Sequence, residues 1–356
     1  MKKRAIIAIL VLLLLMTGLA GCGAAGQADD AGSTASTDNA ASTAEQDADA
    51  ESPGTPAAEE PAPFVFEPHV HCSLLSDYVT EDMWASLYNL IDAIRAGEDT
   101  FACTDEVVYE WCTDQTVIGT FLPPACMMAV PDGYENGVGK IRYTIGKDEY
   151  REREQAFEQE VERILNEVIR SDYSDFEKLM GLYAYMCKYW VFDNTPLDDQ
   201  GIDDFSDYAC IMKKNGICTE VAGTLSYLLL QCGIEATPMG TQGEHDWTYV
   251  EIGGKGYLVD ATWGLHGEDP DGELTLRYFM MTDEERFMDG FVKEDLEVDQ
   301  LWVWTPDYDL GRFAATDETF KPIHDGWVYV EMDTERNVLK CLDASGEPVE
   351  FSYGDL

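Results

Sequence analysis

The chain is short of positive charge. It carries 23 Lys and Arg against 69 Asp and Glu, a formal net charge of −46. Phosphate backbones are bound by basic patches, so nucleic acid is not an expected partner. A heavily solvated surface is the simplest consequence, and basic peptides or divalent cations stay compatible with it. Histidine is scarce: only positions 69, 71, 245, 266 and 324 carry one. No two cysteines stand in a C-x-x-C pair, which argues against a structural zinc site. The apolar run from Ala5 to Met16 is too short to span a bilayer comfortably. From Gly23 to Pro63 there is no aromatic residue, and from Gly23 to Glu67 no Lys or Arg. Such a stretch cannot bury a core, and its like charges keep it extended. No internal repeat is present.

What is there begins with an address. "MKKR" is a positive n-region, "AIIAILVLLLLM" an apolar h-region, and "LAGC" ends at Cys22. Small residues before a cysteine resemble the lipobox of bacterial lipoproteins. That resemblance implies cleavage before Cys22 and a diacylglycerol on its thiol. The alternative is an ordinary secretory signal with a chance cysteine. Two acyl chains hold a protein stably to a membrane where one does not. The expected layout is a signal over 1–22 and a disordered acidic tether over 23–63. The tether would lift a folded part, starting near Phe64, off the outer face of a cytoplasmic membrane.

The folded part reads as α+β. "TEDMWASLYNLIDAIRAG" (Thr80–Gly97) has helical apolar spacing and a glycine stop. "DEYREREQAFEQEVERILNEVIR" is a long charged helix with a seam at Phe157, Val161, Ile164, Leu165 and Val168. Ser174 and Glu177 form an S-x-x-E capping box that opens another helix. "GICTEVAGTLSYLLLQCGIEA" is an amphipathic helix ended by Gly233. "GKIRYTIG" reads as a strand. Beyond residue 244 the period changes to two: "DWTYVEI" and "GYLVDATW" flank "GGKG", a hairpin signal, and "LRYFMM" reads as a further strand. The tail from Gly326 to Phe351 reads as strands joined by turns. Helices first and an antiparallel sheet after give the α+β class. The regions are 64–171, an N-terminal α/β part without a motif; 172–290, a core; and 291–356, a β extension.

Cys218 stands where a helix begins. A helix N-terminus is positive and favours a thiolate. The eight other cysteines of the folded part (72, 103, 112, 126, 187, 210, 232 and 341) are compatible with disulfides or with buried thiols. An acyl-transfer cysteine needs a base, and the base an orienting group. His245 opens the first hairpin strand. A two-residue turn at Gly253–Gly254 sets Trp247 opposite Asp260 and makes His245 its diagonal neighbour on the same face. A carboxylate inside the apolar run "LVDATW" requires a partner. Taken singly, each residue has a bland reading: a buried thiol, a surface histidine, a capped acid.

Together, "NGICTEVAGTLSYLLLQCGIEA", "HDWTYVEI" and "GYLVDATWG" resemble the three core motifs of the transglutaminase-like superfamily, a papain-like fold. The resemblance runs from "SDFEKLMGLYAYMCKYWVFDN" through "DYACIMKKNGIC" to "LRYFMMTDEER", about Tyr173 to Arg286. It implies Cys218 as nucleophile, His245 as base and Asp260 as orienting acid. Tyr208, and with it Trp247, become candidates for the oxyanion or substrate side. Asp246 and Thr248 depart from the His-Ala-Trp-Asn of many bacterial members, and Asp246 bears on the substrate charge that is accepted. The implied activity is thioester chemistry on peptide or protein amides at the cell surface or wall, without a cofactor. The competing reading is a non-catalytic scaffold that binds wall or protein. Two metal readings are weaker. "EDPDGE" (Glu268–Glu273) resembles part of a calcium loop but lacks the EF-hand length and ligand order. "HVHC" (His69–Cys72) sits at the tether boundary.

Overall fold

Most helices begin where a side chain can cap them. The computed structural model describes residues 61–356, apart from 196–205, 242–243, 268, 270–271, 299–300, 302–307 and 355. Helix α1 (Glu81–Ala96) opens on Thr80, whose hydroxyl accepts from the Met83 N–H, and closes on Gly97 at φ 72°. Strand β1 (Thr100–Ala102), helices α2 (Glu106–Cys112) and α3 (Gln115–Phe121), and strands β2 (Ala129–Glu135) and β3 (Val138–Tyr143) follow. Their sheet is antiparallel in the order β1-β3-β2. The long helix α4 (Lys147–Val168) buries Phe157, Val161, Ile164 and Leu165 of the expected seam and leaves its fifth residue, Val168, half-buried. Helix α5 (Asp175–Tyr189) starts on the Ser174–Glu177 capping box.

Strand β4 (Val191–Phe192), helix α6 (Asp207–Lys213) and strand β5 (Asn215–Gly216) lead to helix α7 (Cys218–Gln231). Strands β6 (Ala236–Thr241), β7 (His245–Ile252) and β8 (Lys255–Val259) come next, then the single turn α8 (Ala261–Gly264), helix α9 (Asp283–Met288) and strand β9 (Leu296–Val298). These four strands form an antiparallel sheet in the order β8-β7-β6-β9. Helix α7 lies on β6 and β7 with Val221, Leu225, Leu228 and Leu229 fully enclosed. Each such side chain is worth roughly 1.5–3 kcal/mol over its exposed state. The chain ends in a three-stranded meander, β10 (Val328–Asp333), β11 (Val338–Leu342) and β12 (Pro348–Ser352). The architecture is thus mixed helix and sheet.

"LRYFMM" is not a strand. Met280 takes φ 58°, and the segment turns instead of extending. It still serves the sheet, because Leu258 and Met281 exchange backbone hydrogen bonds of 2.9 and 2.8 Å and the Asp260 N–H donates to Tyr278 O at 2.9 Å. The nine cysteines among the described residues are all thiols. Among the described residues no helix is long and apolar enough to cross a membrane.

Candidate active site

The turn into the helix that carries Cys218 is tightly packed at Gly216. A Cβ there would meet Cys210 Sγ at 3.0 Å and Glu220 Cβ at 3.1 Å. Glu220 sits in the first turn, and its carboxylate accepts from the Ile217 N–H at 2.9 Å. Burial pushes that carboxyl up to about 7, against the pull of the hydrogen bond. Cys218 is half-buried at the lip of the helix. Its thiol faces the backbone N–H groups of Asp246 and Thr219. The Asp246 carboxylate accepts from the Thr219 hydroxyl and lies over Gly240, where a Cβ would meet Oδ1 at 2.0 Å.

This setting reverses the expected charge state. Burial first, then the Asp246 carboxylate, push the Cys218 thiol up to about 12, and the two backbone N–H groups only temper the rise. Asp246 is itself raised by burial, and Glu297 by burial and by Asp246. A thiolate favoured by the helix start is therefore corrected to a thiol that rests protonated.

The hairpin delivers the other two residues in the expected register. Thr248 pairs with Val259 and Ile252 with Lys255 across Gly253 and Gly254, both at positive φ. Continued by one step, that ladder sets Trp247 opposite Asp260. His245 Nε2 lies 2.7 Å from Asp260 Oδ2, with the Asp260 side chain wholly enclosed. Asp260 Oδ1 accepts from the Trp263 N–H at 3.0 Å. Burial alone would raise this carboxyl; the His245 hydrogen bond and the Arg286 charge overcome it and hold the group below the usual carboxylate range. Among the described residues no hydrogen bond joins the Cys218 thiol to the His245 ring, which keeps Nδ1 uncommitted.

Two residues of the site were not singled out by the sequence reading. Arg286, 0 % exposed, donates to Asp260 Oδ2 from one end of its fork and to Asp289 Oδ2 at 3.3 Å from the other. Its guanidinium carbon lies 4.5 Å from the Trp247 ring, 4.6 Å from Trp263 and 5.0 Å from Phe291. Trp263 stacks on His245 at 4.8 Å and 21° and is 39 % exposed. It forms the solvent-facing wall. Trp247 does not, since it is 1 % exposed and packs beneath His245 and against Phe291. Its assignment to the substrate side is corrected to a buried support. The signal for both missed residues was faint: the tryptophan of "DATWG" and an arginine in a charged one-and-a-half-turn helix.

Tyr208 lies on α6 with its ring stacked on Phe157 at 5.8 Å and under the Arg153 guanidinium. The contacts that place it are with α4. Cys22 lies outside the described residues, as do Glu268, Pro270 and Asp271 of the acidic turn. Among the described residues no cluster of three or more His, Cys, Asp or Glu side chains converges to hold a metal ion. His69 and His71 are taken up by Asp92 and Tyr88.

No family model matches the chain, and no curated protein matches it. Among solved structures, a candidate cysteine protease from Cytophaga hutchinsonii is similar at 15% identity and a TM-score of 0.24, over 30% of this chain and 37% of that one. A structure described as a TGase is similar at 12% identity and a TM-score of 0.26, over 40% of this chain and 45% of that one. The chain thus spans less than half the length of either.

Proposed function

We propose that this chain is a cysteine acyl-transfer enzyme of the transglutaminase-like superfamily, acting on peptide or protein amides through a thioester. The observation that carries the reading is the enclosed His245–Asp260 pair, 2.7 Å apart, on a strand whose next residue meets the Cys218 thiol. Because the thiol rests protonated, proton transfer and attack go together. His245 Nδ1 takes the thiol proton as Sγ bonds to the amide carbon and the carbonyl electrons move to oxygen. The Cys218 N–H, one of the first-turn amides without an intrahelical acceptor, faces the oxyanion. His245 then returns the proton to the leaving amine, the C–N bond breaks, and a thioester remains. Water or a second amine, deprotonated by the same ring, releases the acyl group and restores the thiol. Asp260 orients the imidazole and offsets its charge when it forms.

The test is a peptide library scored for both ammonia release and incorporation of an added amine. The parent should show at least one and Cys218→Ala neither; activity surviving in Cys218→Ala would refute the assignment. A scaffold reading is favoured by one observation, the Asp246 carboxylate set against the nucleophile. A scaffold predicts no selective alkylation of Cys218 at neutral pH.

The lipid anchor at Cys22 belongs to the same proposal and places the enzyme on the outer face of a bacterial cytoplasmic membrane, with surface or wall proteins as its substrates. Its support is the order of n-region, h-region and lipobox. Cys22→Ser should release the protein from membranes on a high-salt wash. Retention would disprove the anchor.

A further inference from the structure

His245 and Arg286 compete for one oxygen. Both donate to Asp260 Oδ2, and the second oxygen is held by the Trp263 N–H. The same three rings, Trp247, Trp263 and Phe291, enclose the guanidinium and flank the imidazole. No water reaches the fork, and Arg286 Nε has no partner at all among the described residues. Evenly hydrated arginines are cheap, and a wholly enclosed one is costly unless it is paired. Its pairing here is spent on the carboxylate that the base needs.

We propose that Arg286 is a positioning residue whose guanidinium takes a share of the Asp260 charge and so weakens the pull of that carboxylate on a charged His245 ring. This rests on the acyl-transfer reading for its purpose, though not for its physics. One carboxylate between two cations leaves a net positive charge in an enclosed site; one carboxylate with one cation leaves none. At short range and low dielectric that difference weighs heavily. The other groups facing the ring are the same with and without Arg286. From its own strand comes the Asp246 carboxylate, which favours a charged ring but is raised by burial and held by the Thr219 hydroxyl, and from α7 comes the Cys218 thiol. From β9 comes Glu297, which reaches the site through Asp246. From α5, Tyr183 and Cys187 approach Asp260, and burial pushes both upward, so they stay neutral. Asp289 offsets part of the Arg286 charge but also binds Arg277 at 2.9 Å.

The test uses the full chain and ring-nitrogen NMR of His245, with Cys218 alkylation by iodoacetamide followed against pH. In Arg286→Met, the ring's protonation midpoint and the acidic limb of the alkylation profile should both rise by roughly one to three pH units. Arg286→Lys, which keeps the charge and loses the fork, should stay within about half a unit of the parent. A folded Arg286→Met with the parent's midpoint, or Arg286→Lys shifted as far as Arg286→Met, would refute it. A guanidinium that served the fold alone would lower the melting temperature and leave both pH readings where they were. None of these readings needs turnover, so a protein that transfers no acyl group still passes or fails here.

Discussion

Two buried histidine–carboxylate pairs lie among the described residues, both 2.7 Å long: His245 with Asp260 and His324 with Glu285. They differ at the far nitrogen. His324 Nε2 meets Phe279 O at 2.7 Å, and a carbonyl oxygen only accepts. Both of its ring nitrogens are thus taken up, so it is a clamp between the 3-10 turn Lys321–His324 and α9. Among the described residues the far nitrogen of His245 has no such acceptor, and His245 adjoins in the chain the residue whose backbone N–H faces the thiol. A carboxylate partner does not mark a histidine for chemistry; the nitrogen left over does.

Mutating the two rings should separate these roles. His245→Ala should cut turnover by about 10²–10⁴-fold, with a smaller cost in stability. His324→Ala leaves Glu285 enclosed without its histidine, held only by Thr282, and should cost roughly 3–5 kcal/mol while the folded fraction keeps its turnover within a few-fold. Urea melts and kinetics on the folded fraction measure both. Equal loss of stability from the two substitutions would erase the distinction.

Acid should act more gently and on the clamp. Burial would raise Glu285, but the His324 hydrogen bond and the Thr282 N–H outweigh it and lower the carboxyl to about 2. Its unfolded value is about 4.3. A folded value below the unfolded one stabilises the protein above that unfolded value, and the contribution drains away as pH falls toward about 2. The stability gap between parent and Glu285→Gln should therefore narrow from pH 5 to pH 2. A gap that stays constant would show that Glu285 does not act through its charge.

Much of the site was legible because short-range rules fixed it. Ser174 and Glu177 announce a helix start, and two glycines at 253 and 254 set a register that carries His245 to Asp260. The rest needed distant partners. Arg286 in "TDEER" reads as a surface charge, and only the rings of Trp247, Trp263 and Phe291, brought together by the fold, enclose it. "LRYFMM" is apolar enough for a strand, yet Met280 turns it. Trp247 and Trp263 look alike in sequence, and the layer above each decides which meets solvent. The charge on Cys218 was misjudged because the helix field is a local rule, whereas burial and Asp246 are tertiary facts.

Glu285 and Arg286 are neighbours in the chain, and this has a consequence for timing. One holds the segment that ends at His324, and the other holds the carboxylate behind His245. Further on, the Tyr353 hydroxyl donates to Glu177 on α5 at 2.7 Å. During synthesis, Cys218, His245 and Asp260 all emerge before either of those fastenings exists. A chain still being made would carry all three side chains and yet lack the stay that squares them. The protein would come of age only once its last strands have closed.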